Sequence, residues 1–245
     1  MICLLAAVHE ETTLIRQAIE GPAEQTVNGV PVITGNLLGQ QICLAHSGIG
    51  KAAAAATCAT LLSSRHLQAV WLFGCGGAYP DSGLTLGDLA LAEEEIFGDE
   101  GVETAKGFED LSRTGIPMRR FSGIYFNSWP IDQELYEWAK PHLEGCADRA
   151  KKKLACGPFV TVSTCTGTMT KAEEIAERTG GICENMEGAA VALTCRQMRV
   201  PLLEVRGISN QVEDRDTSRW DLDAGMTAAQ NAILNLLQVY PGLKS

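Results

Sequence analysis

Three apolar runs, Ile2 to Val8, Ala69 to Phe73 and Leu202 to Ile208, each lead into a glycine-rich or polar loop. A half-exposed strand alternates apolar and polar residues. A strand apolar throughout is covered on both faces, as in a largely parallel sheet held between helix layers. These runs therefore point to an α/β fold. Helical spacing fills the intervals: Glu11 to Glu20 carries Leu14, Ile15, Ala18 and Ile19 and stops at Gly21-Pro22. Further helices are expected at Lys51–Ser63, Asp132–Glu144, Lys171–Arg178, Met186–Arg199 and Ala224–Leu237. Shorter β-like runs occupy Val30–Thr34, Gln41–His46, Leu86–Ala92 and Phe159–Ser163. Glu93 to Pro130, rich in acidic and aromatic residues, reads as an elaborated loop with short strands. No repeat or low-complexity linker divides the chain, so 1–245 is expected to be a single domain.

With 245 residues, 45% of them hydrophobic, the chain can bury a substantial core, and extended disorder is excluded. Its formal net charge of −10 leaves no basic surface to replace the counterions of a nucleic acid, so no nucleic-acid partner is expected. No apolar stretch approaches the roughly 20 residues of a membrane span. The N-terminal segment has no basic region ahead of its apolar run, and a soluble, cytoplasmic protein is expected. Nine cysteines, no two within four residues of each other, suit neither a disulfide framework nor a CxxC-type zinc site. They read as small buried hydrophobes, and neither a metal nor a cofactor is expected.

Ligands of open α/β sheets gather beyond the carboxyl ends of strands. That rule selects His9–Thr12, Gly74–Ala78 and Ser209–Asp216, together with Ser47-Gly48-Ile49-Gly50-Lys51 at a helix start. Individually these are weak signals. The glycine spacing matches neither a phosphate loop nor a dinucleotide fingerprint. Glu11 and Glu187 at helix starts are by default carboxylates that complement a helix dipole. Arg206 in an otherwise apolar strand is harder to dismiss, because a buried guanidinium must find partners or cost several kcal/mol.

The motifs Ala6-Ala7-Val8-His9-Glu10-Glu11, Ser47-Gly48-Ile49-Gly50-Lys51, Gly74-Cys75-Gly76-Gly77-Ala78, Asn185-Met186-Glu187-Gly188 and Val205-Arg206-Gly207-Ile208-Ser209-Asn210 occur in this order. Together they resemble the nucleoside phosphorylase and nucleosidase superfamily over nearly the whole chain. Gly98-Asp99-Glu100-Gly101, Thr161-Val162-Ser163-Thr164, Thr166-Gly167-Thr168 and Ser209-Asn210 are most similar to the futalosine hydrolases within it. The resemblance implies a three-layer α/β/α fold with a central mixed, twisted sheet. It implies a small nucleoside and water as substrates, and a homodimer or higher homo-oligomer that partly covers the Glu93–Pro130 stretch.

By the same resemblance, Glu11 activates water, Glu187 holds ribose hydroxyls with Met186 against the sugar, and Arg206 stands near the water and the catalytic carboxylate. Ser47, Ile49, Gly50, Cys75, Gly76, Thr164, Gly167, Thr168 and Asn185 complete the expected binding set. Adenine-specific relatives carry Asp where this chain has Asn210. An amide gives its NH₂ to a 6-oxo group and accepts from N7–H, so Asn210 implies hypoxanthine or guanine. The residues after Gly77, Ala78-Tyr79-Pro80-Asp81, include no arginine to neutralise phosphate, which favours water as nucleophile. Arg113, Arg119, Arg120 and Arg215 are candidates for holding the benzoate end of futalosine, with Trp129 as a stacking partner. The alternatives are a hydrolase or phosphorylase of other 6-oxopurine nucleosides, a methylthioadenosine/adenosylhomocysteine nucleosidase, and a non-catalytic nucleoside-binding protein.

Overall fold

In the computed structural model, which describes residues 1–121 and 123–242, the apolar N-terminal run forms β1 (Ile2–Ala6). A 3₁₀ turn (His9–Thr12) and α1 (Thr13–Ala18) lead into the antiparallel meander β2 (Glu20–Val27), β3 (Val30–Leu37) and β4 (Gln40–His46). Next come α2 (Lys51–Ser64), β5 (Ala69–Ala78) and β6 (Leu89–Phe97). The elaborated segment holds a hairpin, β7 (Gly101–Thr104) and β8 (Gly107–Asp110), then α3 (Leu111–Thr114). An antiparallel pair, β9 (Arg119–Phe121) and β10 (Gly123–Tyr125), precedes β11 (Ser128–Pro130). The chain closes with α4 (Gln133–Ala150), β12 (Leu154–Thr161), α5 (Met169–Thr179), β13 (Cys183–Asn185), α6 (Gly188–Met198), β14 (Leu202–Gln211) and α7 (Leu222–Val239).

The main sheet is mixed and runs β11-β6-β12-β13-β5-β1-β4-β3-β2, with β14 paired to both β5 and β6. β1, β5 and β14 are mutually parallel, so their carboxyl ends open on the same side. Because β14 joins β5 to β6, the strands β5, β13, β12, β6 and β14 form a closed circuit of pairings. Alternation along β1 divides the core. Cys3 and Leu5 pack with α2 and α6, through residues such as Ala54, Cys58 and Val191. Ile2, Leu4 and Ala6 pack with α1, α4 and α7, through Ile15, Leu143 and Ile233. Each Leu, Ile or Val among them contributes roughly 1.5–3 kcal/mol when fully buried. The result is the expected three-layer α/β/α arrangement.

Local chemistry sets the helix ends. The side chains of Asp132, Thr168 and Asp221 accept the free N–H groups of Leu135, Lys171 and Ala224 at the starts of α4, α5 and α7. Among the described residues no helix is long and apolar enough to cross a membrane.

Three expectations need correction. Gly21-Pro22 ends no helix but lies within β2, at a register irregularity between Glu20 and Ala23. Proline is tolerated there because β2 is an exposed edge strand and the bulge needs no ladder bond from it. β12 begins at Leu154 and passes through Pro158 by a similar irregularity, well before the expected start at Phe159. Trp129, expected to meet ligand, is fully buried in β11 and stacks on Tyr125 at 4.9 Å between ring centroids. It is a packing residue.

Candidate active site

A cavity of about 310 Å³ opens beyond the carboxyl ends of β1, β5 and β14, against the start of α6. Glu11, Cys75, Met186, Glu187, Arg206 and Asn210 all line it. Residues distant in sequence thus converge because three parallel strands end together.

Glu11 sits in the 3₁₀ turn after β1 and is only 6% exposed. Its Oε2 accepts the N–H groups of Ala7 (3.0 Å) and Val8 (3.3 Å), and its Oε1 accepts that of Cys75 (2.8 Å). Space for this carboxylate depends on Gly74, where a Cβ would lie 2.3 Å from Oε1. Burial pushes the Glu11 carboxyl above its ordinary range, although the Arg206 charge and the N–H bonds pull the other way. A carboxyl so placed is a stronger base than a surface glutamate.

Arg206, on β14, is 2% exposed and finds its partners in three places. Its Nε donates to Glu204 Oε1 at 2.9 Å, its Nη1 donates to the Cys75 carbonyl at 3.1 Å, and Nη1 lies 3.7 Å from Glu187 Oε2. Burial alone disfavours this charge, but Glu204, Glu187 and Glu11 outweigh it and raise the Arg206 pKa further. Glu187 stands immediately before α6, and its Oε1 accepts the Gly50 N–H at 2.9 Å, tying the loop before α2 to the site. Cys75 is no nucleophile. Burial, and next the Glu11 charge, push its thiol up to about 12, so it stays protonated at neutral pH.

The register of β14 against β5 shifts between Ile208 and Asn210, leaving Ser209 as an extra residue. This bulge re-aims Asn210 to the same side as Gly77, over which its amide lies. Asn210 Oδ1 accepts from the Ser209 hydroxyl at 2.9 Å, and Nδ2 donates to the Gln211 carbonyl at 3.0 Å. One amide hydrogen and one oxygen lone pair remain for a ligand. Deeper in the wall, Glu184 accepts from the Tyr79 hydroxyl (2.8 Å), the Thr166 hydroxyl (2.5 Å) and the Thr166 N–H (3.0 Å).

The sequence profile of the Phosphorylase superfamily matches residues 1–239. The chain belongs to that superfamily. A futalosine hydrolase from Thermus thermophilus is 34% identical over 193 residues, spanning 78% of this chain and 79% of its own. A 5′-methylthioadenosine/S-adenosylhomocysteine nucleosidase from Shewanella frigidimarina is 29% identical over 243 residues, with 97% and 99% coverage. Among solved structures, such a nucleosidase from Colwellia psychrerythraea in complex with adenine superposes with a TM-score of 0.85 at 22% identity, covering 100% of this chain and 97% of that one. This superfamily is enzymatic.

Of the residues expected from the sequence of this superfamily member, Glu11, Ile49, Cys75, Gly76, Asn185, Met186, Glu187, Arg206 and Asn210 all line the cavity. Gly50 reaches it through its bond to Glu187, whereas Ser47 is buried behind it and donates to the Gly48 carbonyl. Thr164, Gly167 and Thr168 face a neighbouring cavity instead, beside α5, and Cys165 and Thr166 form the wall between the two. Of the four arginines considered for an acidic substituent, Arg215 lines the site cavity, with its guanidinium 4.7 Å above the Trp220 ring. Arg119 and Arg120 line a separate depression near the end of α6, and Arg113 lies on α3, outside the cavity wall. Sequence reasoning did not single out Glu184, Glu204 or Trp220. Glu204 had a usable signal: in a strand, residues two apart share a face, and it stands two before Arg206.

Proposed function

We propose that this superfamily member hydrolyses the N-glycosidic bond of futalosine, releasing hypoxanthine and dehypoxanthine futalosine, within menaquinone biosynthesis. The observation that carries the reading is Asn210. Its amide offers the cavity one donor and one acceptor, which suits O6 and protonated N7 of a 6-oxopurine. In this reaction Glu11 takes a proton from water as the water oxygen bonds to C1′. The C1′–N9 bond breaks, its electron pair goes to the purine, and N7 receives a proton from solvent. Glu187 holds the ribose hydroxyls and faces the positive charge that develops on the sugar. Arg206 orients Glu187 and balances the two carboxylates.

Two further features support the substrate. Arg215 has acidic neighbours, yet Asp214 is bonded to the Met169 N–H and Asp216 to the Ser218 N–H and hydroxyl. Its guanidinium lies on Trp220 instead, at the cavity rim, where an aromatic carboxylate can meet both cation and ring. Of the two arginines that line the cavity, the buried Arg206 is already engaged by Glu204 and Glu187 and Arg215 stands at the rim, which favours water over inorganic phosphate as nucleophile. In this reading the enzyme works as a homo-oligomer, and the exposed side chains of Ile49, Val102, Ile116 and Ile124 are the surface a second copy covers.

A second reading, hydrolysis of methylthioadenosine or adenosylhomocysteine, is supported by the nearly full-length match to the Shewanella nucleosidase. Purified protein incubated with futalosine, with methylthioadenosine, and with each plus phosphate separates the possibilities. Free hypoxanthine from futalosine without phosphate is the expected result. Preferential release of adenine supports the second reading instead. A strict phosphate requirement, with ribose 1-phosphate-type product, refutes hydrolysis.

A further inference from the structure

Glu95 on β6 and Glu204 on β14 are both completely buried, and the Arg206 guanidinium pairs with the Oε1 side of Glu204. Their carboxyls meet beneath the first residue of α6. A Cβ on Gly188 would fall 1.9 Å from Glu95 Oε1 and 2.7 Å from Glu204 Oε2, so these two oxygens occupy the space that this glycine leaves free. The other bonds of the pair are accounted for. Glu95 Oε1 accepts from Asn185 Nδ2 at 2.6 Å, Glu95 Oε2 accepts from the Thr161 hydroxyl at 2.6 Å, and Glu204 Oε1 accepts from Arg206 Nε at 2.9 Å. Glu204 Oε2 alone has no hydrogen-bond partner. Two ionised carboxylates in contact with an orphaned lone pair between them are not a stable arrangement.

Charge balance leads to the same place. Around this point stand Glu95, Glu204, Glu187 and Glu11, with Glu184 and the Cys183 thiol further along β13, against the single guanidinium of Arg206. The start of α6 adds only about half a positive charge. Among the described residues no group of three or more His, Cys, Asp or Glu side chains is arranged to hold a metal ion. A proton is the remaining cation. Burial, and next the charge of Glu204, push the Glu95 carboxyl well above its ordinary range; burial raises Glu204 too, but the Arg206 charge and hydrogen bond beside it pull the other way.

We propose that Glu95 is a neutral carboxylic acid at physiological pH, donating its proton to Glu204 Oε2, and that this acid–carboxylate pair is the positioning element of the active site. One arm of the pair runs through Glu204 to Arg206 and on to Glu187. The other runs through Asn185, whose Oδ1 accepts the N–H groups of Glu187 (2.9 Å) and Gly188 (2.7 Å). Thr161, bonded to Glu95, receives the Ala189 N–H at 2.7 Å. The pair thereby fixes both the backbone and the carboxylate of Glu187 without touching substrate. The positioning role rests on the reading of Glu187 and Arg206 as site groups; the shared proton does not.

Infrared spectroscopy of the wild-type protein at pH 7 tests the proton without any substrate. The expected spectrum contains the carbonyl band of a buried protonated carboxyl group, which Glu95→Gln removes and Glu11→Gln leaves in place. Absence of that band in the wild type overturns the proposal, whatever the substrate proves to be. Glu95→Gln keeps a donor toward Glu204, although its NH₂ then faces the Asn185 Nδ2 group that Glu95 Oε1 accepts in the wild type, so its kcat on futalosine is expected to fall no more than about tenfold. Glu95→Ala, with Glu204 Oε2 orphaned, is expected to lose at least about 100-fold in kcat with little change in KM. Equal losses in the two variants, both folded by circular dichroism, overturn positioning through the proton. Should futalosine fail as a substrate, the same comparison is run on the nucleoside that the protein does cleave, and the infrared result stands apart from it.

Discussion

Replacing Asn210 by Asp tests the base preference at a single nitrogen. In the wild type, Nδ2 donates to the Gln211 carbonyl at 3.0 Å and keeps a second hydrogen for the ligand. A carboxylate oxygen at that place faces the Gln211 carbonyl as acceptor against acceptor and faces O6 of hypoxanthine in the same way. One intramolecular bond and one ligand bond are lost. The site can relieve both only by protonating the new carboxyl. The Gln211 bond is lost in the free enzyme and the complex alike and so lowers stability, whereas O6 left facing a charged acceptor is expected to cost about 2–4 kcal/mol on the 6-oxo substrate, or about 30- to 10³-fold in kcat/KM. The assay measures kcat/KM for futalosine and for its 6-amino counterpart, with thermal melting to verify folding. The wild type is expected to prefer futalosine, and Asn210→Asp to shift the ratio of the two substrates by at least about 30-fold toward the 6-amino compound. An unchanged ratio in a folded variant refutes the hydrogen-bond argument, and with it the main support for a hypoxanthine nucleoside.

Glu11→Gln is expected to lower kcat by at least about 100-fold, the scale of a general base. It should also cost about 1–3 kcal/mol of stability, because an amide NH₂ cannot accept at both ends of the cradle formed by Ala7, Val8 and Cys75; near-normal turnover at an unchanged melting temperature contradicts this role. The pH profile follows from the same residue. Burial raises Glu11 above the ordinary value of 4.5, and a base works only when ionised, so kcat/KM should fall as the pH drops through this raised pKa, with an acid limb above 4.5. A limb at or below that value shows that another group controls the rate. Arg215→Gln should raise KM for futalosine at least about fivefold with kcat nearly unchanged, as expected for a partly exposed ion pair, and leave an uncharged inosine-type substrate unaffected.

What was legible in the sequence had a local signature. Apolar runs located β1, β5 and, despite its buried Glu204 and Arg206, β14, because burial on both faces favours apolar residues at most positions. The glycines in the second half of β5 marked a close approach, and Gly74 indeed makes room for Glu11. What stayed hidden depended on pairing rather than composition. β2 is exposed at almost every position and opens on Gly-Pro after its first residue, features that read as a loop until its place at the sheet edge is known. Glu95 is one of three consecutive glutamates on β6, and only the fold shows that it points inward while Glu93 is exposed and the half-buried Glu94 accepts from the Ser128 hydroxyl. The extra residue at Ser209 is equally invisible, because a bulge exists only relative to a partner strand.

The closed circuit of strands has a consequence for how substrate choice can change. Each strand of that ring already has a neighbour along both edges, so the floor of the cavity cannot be widened by parting strands without giving up ladder bonds. The rim is different. Ile49, Cys165, Thr166, Arg215 and Trp220 all stand on connecting segments, where insertions and exchanges leave the ladder untouched. Chemistry at the sugar and recognition at the periphery are therefore separable heritable traits. A lineage can trade one appended group for another by rewriting a few loop positions while the floor that holds Glu204 and Arg206 passes on unaltered.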